Sequence, residues 1–407
     1  PPQTLGDLLR NELALQADLS LPEPWELPGY ARLQGEVHLG LAHLEQAWQI
    51  SRLQADLELD QLAYPALAEL PDWLSPQRLQ VQLRAREDQA LDWQQALAAE
   101  LSLSSHGRSQ LSWTSHVQLD LEPAWQLAFS QGELDFTLTR LQLDDWQLDD
   151  VQLQGAALAG QVDAHSLQLR PGQAVNLRAR QLDNRALELA ANNLQATLTD
   201  SRLDWPLAAD SAPSLSGRAT VRSSRLSHPL LKPQAWNGQW QLRWQDHRFN
   251  AEGQADNNAG LSLHNTLSLA ADGNWRAALR LEELFFRAGN PLADSLTDWP
   301  ALLSLSAGRL SGDFELRGSS ALDSLDGQLQ LSGANGIYDR STFRGLSLPL
   351  QVQLRGEQLA LASTPLRVNE IEHGLSFGPL QLSANYQSRL DDVLNGRAEI
   401  AQAELQI

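Results

Sequence analysis

Residues 134–153 carry the pattern that most restricts the fold of this chain. They read LDFTLTRLQLDDWQLDDVQL, in which apolar and polar residues alternate in short runs. Because successive side chains of a strand point to opposite faces of a sheet, a period of two predicts strands with one apolar and one polar face. The alternation changes phase at Arg140, at Asp144-Asp145 and at Asp149-Asp150, where polar residues are typical of a bulge or a tight turn.

The same alternation recurs along most of the chain, and local signals predict where it is interrupted. Asn290-Pro291 predicts a helix start, and Leu292, Leu296 and Trp299 share one helical face that ends at Pro300. Pairs of Asn or Asp with Gly tolerate positive φ and therefore predict tight hairpins. There are five such pairs in the second half: Asn237-Gly238, Asp272-Gly273, Asp326-Gly327, Asn335-Gly336 and Asn395-Gly396.

These patterns divide the chain into three predicted regions. Residues 1–76 form a mixed segment with short helices and strands, and residues 77–290 form an extended amphipathic sheet. Residues 291–407 contain a short helix followed by a second β region. The chain starts at Pro1-Pro2 and stops in mid-alternation at Ile407, so we expect it to be a fragment of a longer protein.

Composition excludes several classes of function. The net charge of −20 argues against nucleic acid as a partner, because nucleic-acid binding requires a basic surface. The chain has no cysteine, which excludes disulfides, thiolate metal sites and a cysteine nucleophile. No apolar run approaches the ~20 residues that span a bilayer, and no signal peptide is recognisable.

Motifs that could carry catalysis are weak. Residues 374–378 satisfy G-x-S-x-G, but they lack the strand before and the helix after that a nucleophile elbow needs, so a turn between strands is the better interpretation. Asp144-Asp145 and Asp149-Asp150 could supply paired carboxylates or a calcium site, yet their positions at phase changes favour turn residues. The histidines are scattered. We therefore expect no enzyme activity, no metal and no cofactor.

The informative feature is collective, because a series of amphipathic strands creates one apolar face that something must cover. A second sheet would cover it in a sandwich, whereas in an open, strongly curved sheet the face becomes a groove that can hold acyl chains. This chain relies on Leu and Ala and has only eight Phe and four Tyr. That composition favours the groove over a closely packed sandwich core.

The segment from Leu325 to Tyr386 contains GIYDRSTFRGLSLPLQVQL and then GLSFGPLQL, and it resembles the YdbH family. That family belongs to the AsmA-like group of Gram-negative envelope proteins, which includes TamB. The resemblance implies an inner-membrane anchor, absent from this chain, and a long periplasmic β-groove that carries phospholipid to the outer membrane. It also implies that a small outer-membrane lipoprotein docks by strand addition near the C-terminal end, and that the C-terminal region is truncated here.

Together these observations predict an elongated, curved, predominantly antiparallel β-sheet that forms a hydrophobic groove, with a few short helices. The predicted function is phospholipid transfer along the groove without catalysis. The alternatives are a scaffold for outer-membrane assembly and, thirdly, a glycan-active β-fold, which the thirteen tryptophans leave open. The predicted groove-lining residues are Phe136, Leu138, Leu141, Leu143, Leu329, Leu331, Leu350, Val352 and Leu354.

Overall fold

A computed structural model describes residues 13–27, 31–44, 47–60, 78–85, 97–106, 109–120, 124–207, 212–287, 289–319, 321–389 and 402–406. Within these ranges there are 24 strands that belong to one sheet. Most consecutive strands pair in antiparallel fashion, a few pairings skip one or two strands, and most connections are short. The prediction of a mostly β chain built on a predominantly antiparallel sheet is confirmed.

The chain divides into two compact units, Pro1–Asp183 with Asn193–Arg218 and Asn184–Asn192 with Ala219–Ile407. We call them unit 1 and unit 2. The strands within unit 1 are β1 (Leu13–Leu27), β2 (Ala31–Leu44), β3 (Ala47–Asp60), β4 (Arg78–Ala85), β5 (Leu97–His106), β6 (Ser109–Asp120), β7 (Gln126–Leu143), β8 (Trp146–Asp163) and β9 (Ser166–Pro171). Three strands contain residues of both units: β10 (Val175–Asn184), β11 (Leu189–Pro206) and β12 (Ser214–His228).

The strands within unit 2 are β13 (Leu231–Gln245), β14 (Arg248–Asn257), β15 (Ser262–Leu269), β16 (Trp275–Phe285), β17 (Leu303–Gly318), β18 (Leu322–Tyr338), β19 (Ser341–Arg355), β20 (Gln358–Val368), β21 (Glu370–Glu372), β22 (Ser376–Phe377), β23 (Leu380–Arg389) and β24 (Gln402–Gln406). One helix, α1 (Pro291–Ser295), interrupts this series between β16 and β17. The predicted region boundaries after residues 76 and 290 stay a prediction.

Burial follows the sequence alternation along the strands. In β4 the side chains at 78, 80, 82 and 84 are exposed, and those at 79, 81, 83 and 85 are half-buried. The first set is Arg or Gln and the second is Leu, Val or Ala. A strand with this pattern places one apolar face inward in its sheet and leaves the polar face in water.

Two of the predicted turns are confirmed. Asp144-Asp145 forms the turn between β7 and β8, with Asp144 at a φ of 50°. Asp272-Gly273 lies in the turn between β15 and β16, where the Gly273 amide donates to the Ala270 carbonyl at 3.1 Å. Gly273 has a φ of +82°, in the region that glycine adopts without a steric penalty.

Three of the predicted hairpins are wrong. Gly238, Gly327 and Gly336, with the Asn or Asp before each, lie inside β13 and β18 and pair with residues of neighbouring strands. At Gly238 and Gly327 an aromatic ring occupies the space where a Cβ would stand, and at Gly336 the Ser304 carbonyl oxygen lies nearest to that space, at 2.2 Å. A glycine inside a strand commonly marks such a close approach. The fifth pair, Asn395-Gly396, lies outside the described residues.

Asp149-Asp150 stays within β8 and marks an irregularity rather than a turn. Asp150 has a φ of 51°. The buried Asp149 carboxylate accepts a hydrogen bond from Arg140 Nε at 2.8 Å, and that bond lowers the pKa of Asp149 below its ordinary value. Leu138 and Leu141, on either side of the change of phase, belong to one hydrophobic cluster. The apolar face therefore continues through the irregularity.

The helix begins where the sequence predicts and is shorter. Asn290 caps it by accepting a hydrogen bond from the Ala293 amide at 3.1 Å, with Pro291 at the first position. Leu292 packs on the apolar face of the sheet. Leu296 is already extended and forms a β-bridge with Leu231, which ends the helix before the predicted Pro300.

Candidate functional site

Cross-strand pairing in unit 2 aligns the apolar residues of eight consecutive strands, β13 to β20, into rows that run perpendicular to the strands. The three rows below share one face, because their members in each strand are two residues apart. Row A contains Leu242, Ala251, Leu267, Ala277, Leu316, Leu325, Leu354 and Leu359. Row B contains Trp240, Gly253, Asn265, Leu279, Phe314, Gly327, Val352 and Leu361, and continues to Tyr386 of β23. Row C contains Gly238, Ala255, Leu263, Leu281, Gly312, Leu329 and Leu350.

Unit 1 contains rows of the same kind. Row D consists of Leu21, Gly35, Leu57, Val81, Leu103, Trp113, Leu134 and Gly155. Row E consists of Leu33, Leu59, Leu79, Ser105, Leu111, Phe136 and Leu153. Each unit therefore has a broad apolar face that crosses at least six strands.

The side chains of these rows are mostly half-buried rather than enclosed. Leu354 and Leu281 are only 4% and 7% exposed, whereas Leu267 is 37% exposed. The largest fully buried side chains of the described residues are Phe286, which precedes the helix, and Ser295, the last helical residue; neither belongs to the rows. A closed core between two layers would bury many large side chains completely.

The buried clusters form within the sheet itself. One combines Leu138, Val151 and Ala179 of β7, β8 and β10, and another combines Ala334, Phe343 and Val368 of β18 to β20. The third, around Leu281 and Leu284, also contacts Leu292 of the helix. Every strand that the structure describes belongs to the same sheet, so no second sheet among these strands covers the rows.

The predicted lining residues fall on these faces, except for Leu143. In unit 2, Leu329 and Leu350 lie in row C, Val352 in row B and Leu354 in row A, while Leu331 pairs with Leu348 in the next row. In unit 1, Leu138 belongs to the first buried cluster, and Phe136 and Leu141 pack against it. Leu143 is the last residue of β7 and is 48% exposed, because it lies at the turn rather than inside the face.

Sequence periodicity places a residue on the apolar face of its strand but does not assign it to a row. Leu279, Phe314 and Leu361 join row B only through the register of their strands. Asn265 interrupts the same row with an amide, which accepts a hydrogen bond from Trp240 Nε1 at 2.7 Å. The helix also contributes to the apolar face, because its Leu292 packs against the third cluster.

The opposite face of unit 2 carries the charges. Arg280 Nε and Asp313 Oδ1 lie 2.7 Å apart, and Arg355 pairs with Asp326 at 2.6 Å. The hydrogen bond that the Arg280 guanidinium donates to Asp313 raises the pKa of that guanidinium. These pairs are exposed, so each contributes little to stability, but they keep charge away from rows A to C.

The motifs considered for catalysis or metal binding have ordinary structural roles. Gly374 and Leu375 lie in the turn between β21 and β22, and Ser376 belongs to β22; a strand rather than a helix follows, so the nucleophile-elbow interpretation does not hold. In the described part of the chain, no group of three or more His, Asp or Glu side chains comes together as a metal site. The described helix is also too short and too polar to cross a membrane.

Comparison with known proteins gives one match. A family model described as YdbH-like, intermembrane phospholipid transport protein YdbH, matches residues 3–406. No curated protein and no solved structure matches the chain. The match covers nearly every residue and extends far beyond the C-terminal segment in which the sequence resemblance was recognised. The chain therefore belongs to the YdbH-like family, whose described role is intermembrane phospholipid transport.

Proposed function

We propose that this chain is a periplasmic lipid-transfer bridge that moves phospholipid between the inner and outer membranes along its apolar face. The observation that carries the proposal is the set of apolar rows in each unit, which remain half-exposed with no second sheet over them among the described strands. Membership of a family of phospholipid transport supports the choice of lipid as the occupant.

The physical reason is the cost of exposing acyl chains to water. Each methylene group transferred into water costs about 0.8 kcal/mol, so a two-chain lipid does not cross an aqueous gap unaided. An apolar row offers an acyl chain a similar environment at each successive strand, and neighbouring strands lie about 4.8 Å apart. A lipid on such a track can move stepwise without a deep binding minimum, while its headgroup stays in water.

The predicted lining residues divide by exposure. Leu141, Leu350 and Val352 are half-buried and would contact acyl chains directly. Leu138 and Leu354 are each only 4% exposed and would form the floor beneath them. Leu143, at the exposed end of β7, would lie at the border of the track rather than inside it.

Two further contacts belong to the same proposal. An anchor outside this chain would hold the full-length protein in the inner membrane. A small outer-membrane lipoprotein would dock by strand addition near the C-terminal end. An unpaired strand edge is the structure that strand addition uses.

Photo-crosslinking on the two faces of β19 tests the proposal. A photoreactive amino acid replaces Val352 in row B or, as the matched control, Gln351, which is adjacent and exposed on the opposite face. In cells, we expect phospholipid adducts at Val352 and none above background at Gln351. Equal labelling at both positions would refute the groove, and adducts to outer-membrane assembly proteins without lipid would favour the scaffold.

A further inference from the structure

Five aromatic residues lie directly opposite a glycine on the neighbouring strand. In unit 2 the pairs are Trp240–Gly253, Trp275–Gly318, Phe314–Gly327 and Phe343–Gly336, and in unit 1 the pair is Phe129–Gly160. Two of the pairs, Trp240–Gly253 and Phe314–Gly327, lie in row B. In each pair a Cβ on the glycine would lie between 2.3 and 2.8 Å from the ring, and in every pair except Phe314–Gly327 a backbone carbonyl oxygen lies closer still.

The Phe314 ring occupies the space above Gly327. A Cβ on Gly327 would lie 2.3 Å from Phe314 Cδ1 and 2.7 Å from Cε1, distances that real Cβ atoms do not show. On the other side, a Cβ on Gly312 would lie 3.3 Å from Phe314 Cε2. Side chains of strands usually stand roughly perpendicular to the sheet. The Phe314 ring instead leans over the adjacent strand, close to its backbone.

Trp240 is held down in the same way and more firmly. A Cβ on Gly238 would lie 2.0 Å from its Cη2 atom, and one on Gly253 would lie 2.6 Å from its Cδ1 atom. Its Nε1 donates to Asn265 Oδ1 at 2.7 Å, two strands away. The indole therefore spans β14 along row B, and its N–H is paired with the side-chain amide of Asn265 in the same row.

We propose that these aromatic–glycine pairs set the clearance above the apolar face and so determine how bulky an acyl chain the track accepts. This inference rests on the proposed function. A glycine provides the space into which the ring leans, and the leaning ring leaves room above it. Aromatic side chains over glycines also stabilise sheets, so a structural role alone is the alternative that the experiment must separate.

The test uses Gly327→Ala, because the three nearest atoms to the added methyl all belong to the Phe314 ring. The ring must then rise into the track. The purified chain is incubated with an equimolar mixture of a straight-chain diacyl phospholipid and the same lipid with one pyrene-bearing chain, and native mass spectrometry measures the bound ratio. We expect the ratio of bulky to straight lipid to fall roughly tenfold, which is about 1.4 kcal/mol.

Two further variants sharpen the result. Adding Phe314→Leu to Gly327→Ala removes the raised ring and should restore the ratio. Phe314→Leu alone should raise the ratio severalfold, which keeps the test available if Gly327→Ala does not fold. The matched control is Gln328→Ala, which changes the next residue of the same strand, exposed on the opposite, polar face; its ratio should not change.

The outcomes separate the two levels of the argument. An unchanged ratio in folded Gly327→Ala, with wild type binding both lipids, overturns the clearance role and leaves the proposed function intact. An equal loss of both lipids together with lower stability also overturns it, since a purely structural role predicts that result. If the wild-type chain binds neither lipid, the proposed function itself fails and the clearance role fails with it.

Discussion

A carboxylate placed at Val352 should weaken phospholipid binding while the chain still folds. Val352 is half-buried in row B, between Gly327 and Leu361 on the neighbouring strands. In the lipid-free protein the new carboxylate of Val352→Asp can remain hydrated at this position. It loses that hydration when an acyl chain lies across it, and burying an unpaired charge is strongly unfavourable. The penalty therefore falls on the lipid-bound state.

The size of the effect follows from the spacing of the strands. One strand occupies about 4.8 Å along a row, a length that about four methylene groups of an extended chain cover. At about 0.8 kcal/mol per fully buried methylene, complete loss of these contacts would cost about 3 kcal/mol. Because the sheet contacts the chain from one side, about half of this value applies. We expect a loss of about 1.6 kcal/mol, roughly a 15-fold weaker lipid affinity.

The assay measures the transfer of a fluorescent phospholipid between donor and acceptor vesicles, together with lipid affinity and chemical unfolding. Gln351→Asp is the matched control, since it adds the same charge one residue away on the polar face, opposite Gln328 and Ala362. Leu141→Asp repeats the test in unit 1. Unchanged transfer in both Val352→Asp and Leu141→Asp, with the variants folded, would refute the groove.

Three further predictions concern stability. The hydrogen bond from Arg140 lowers the pKa of Asp149, so the stabilisation it gives is present above the ordinary Asp pKa of 3.8 and is lost as the pH falls through the lower folded-state value. Asp149→Asn should therefore reduce the fall in the free energy of unfolding at acid pH, measured by urea unfolding. An unchanged dependence on pH would contradict the assignment. Asn290→Ala removes the helix cap and should lower the free energy of local opening at the helix by about 1 kcal/mol, measured as faster amide hydrogen exchange. Unchanged exchange would show that the cap is dispensable. Leu354→Ala, at a position 4% exposed, should lower the free energy of unfolding by about 2 kcal/mol or more, whereas Leu143→Ala, at 48% exposed, should change it by less than about 0.5 kcal/mol; equal effects would mean that burial does not set the cost.

The sequence predicts the class of fold and the two faces of its strands well. Alternation over residues 134–153 indicates β7 and β8, and Asp144-Asp145 indicates the turn between them. Asn290-Pro291 correctly predicts where the helix begins. These features depend on neighbours within a few residues, and a single sequence is enough to predict local steric and hydrogen-bonding preferences.

Two of the wrong predictions share one cause. Asp326-Gly327 has the composition of a hairpin turn, yet it lies inside β18 because Phe314 of β17 needs the space above the glycine. Asp149 likewise stays within its strand, paired with Arg140 on the strand beside it. In both cases the deciding residue belongs to a different strand. A local turn preference cannot report a neighbour that only the pairing of strands supplies.

By itself, the sequence determined that the chain forms strands, that each strand has an apolar and a polar face, and that charge lies mainly on the polar side. Only the tertiary structure decided which residues stand opposite one another, and therefore which of them form rows A to E and where rings lie over glycines. The direction of a side chain is a property of its own backbone. Register is a property of two strands together, and a shift of one residue would exchange the faces.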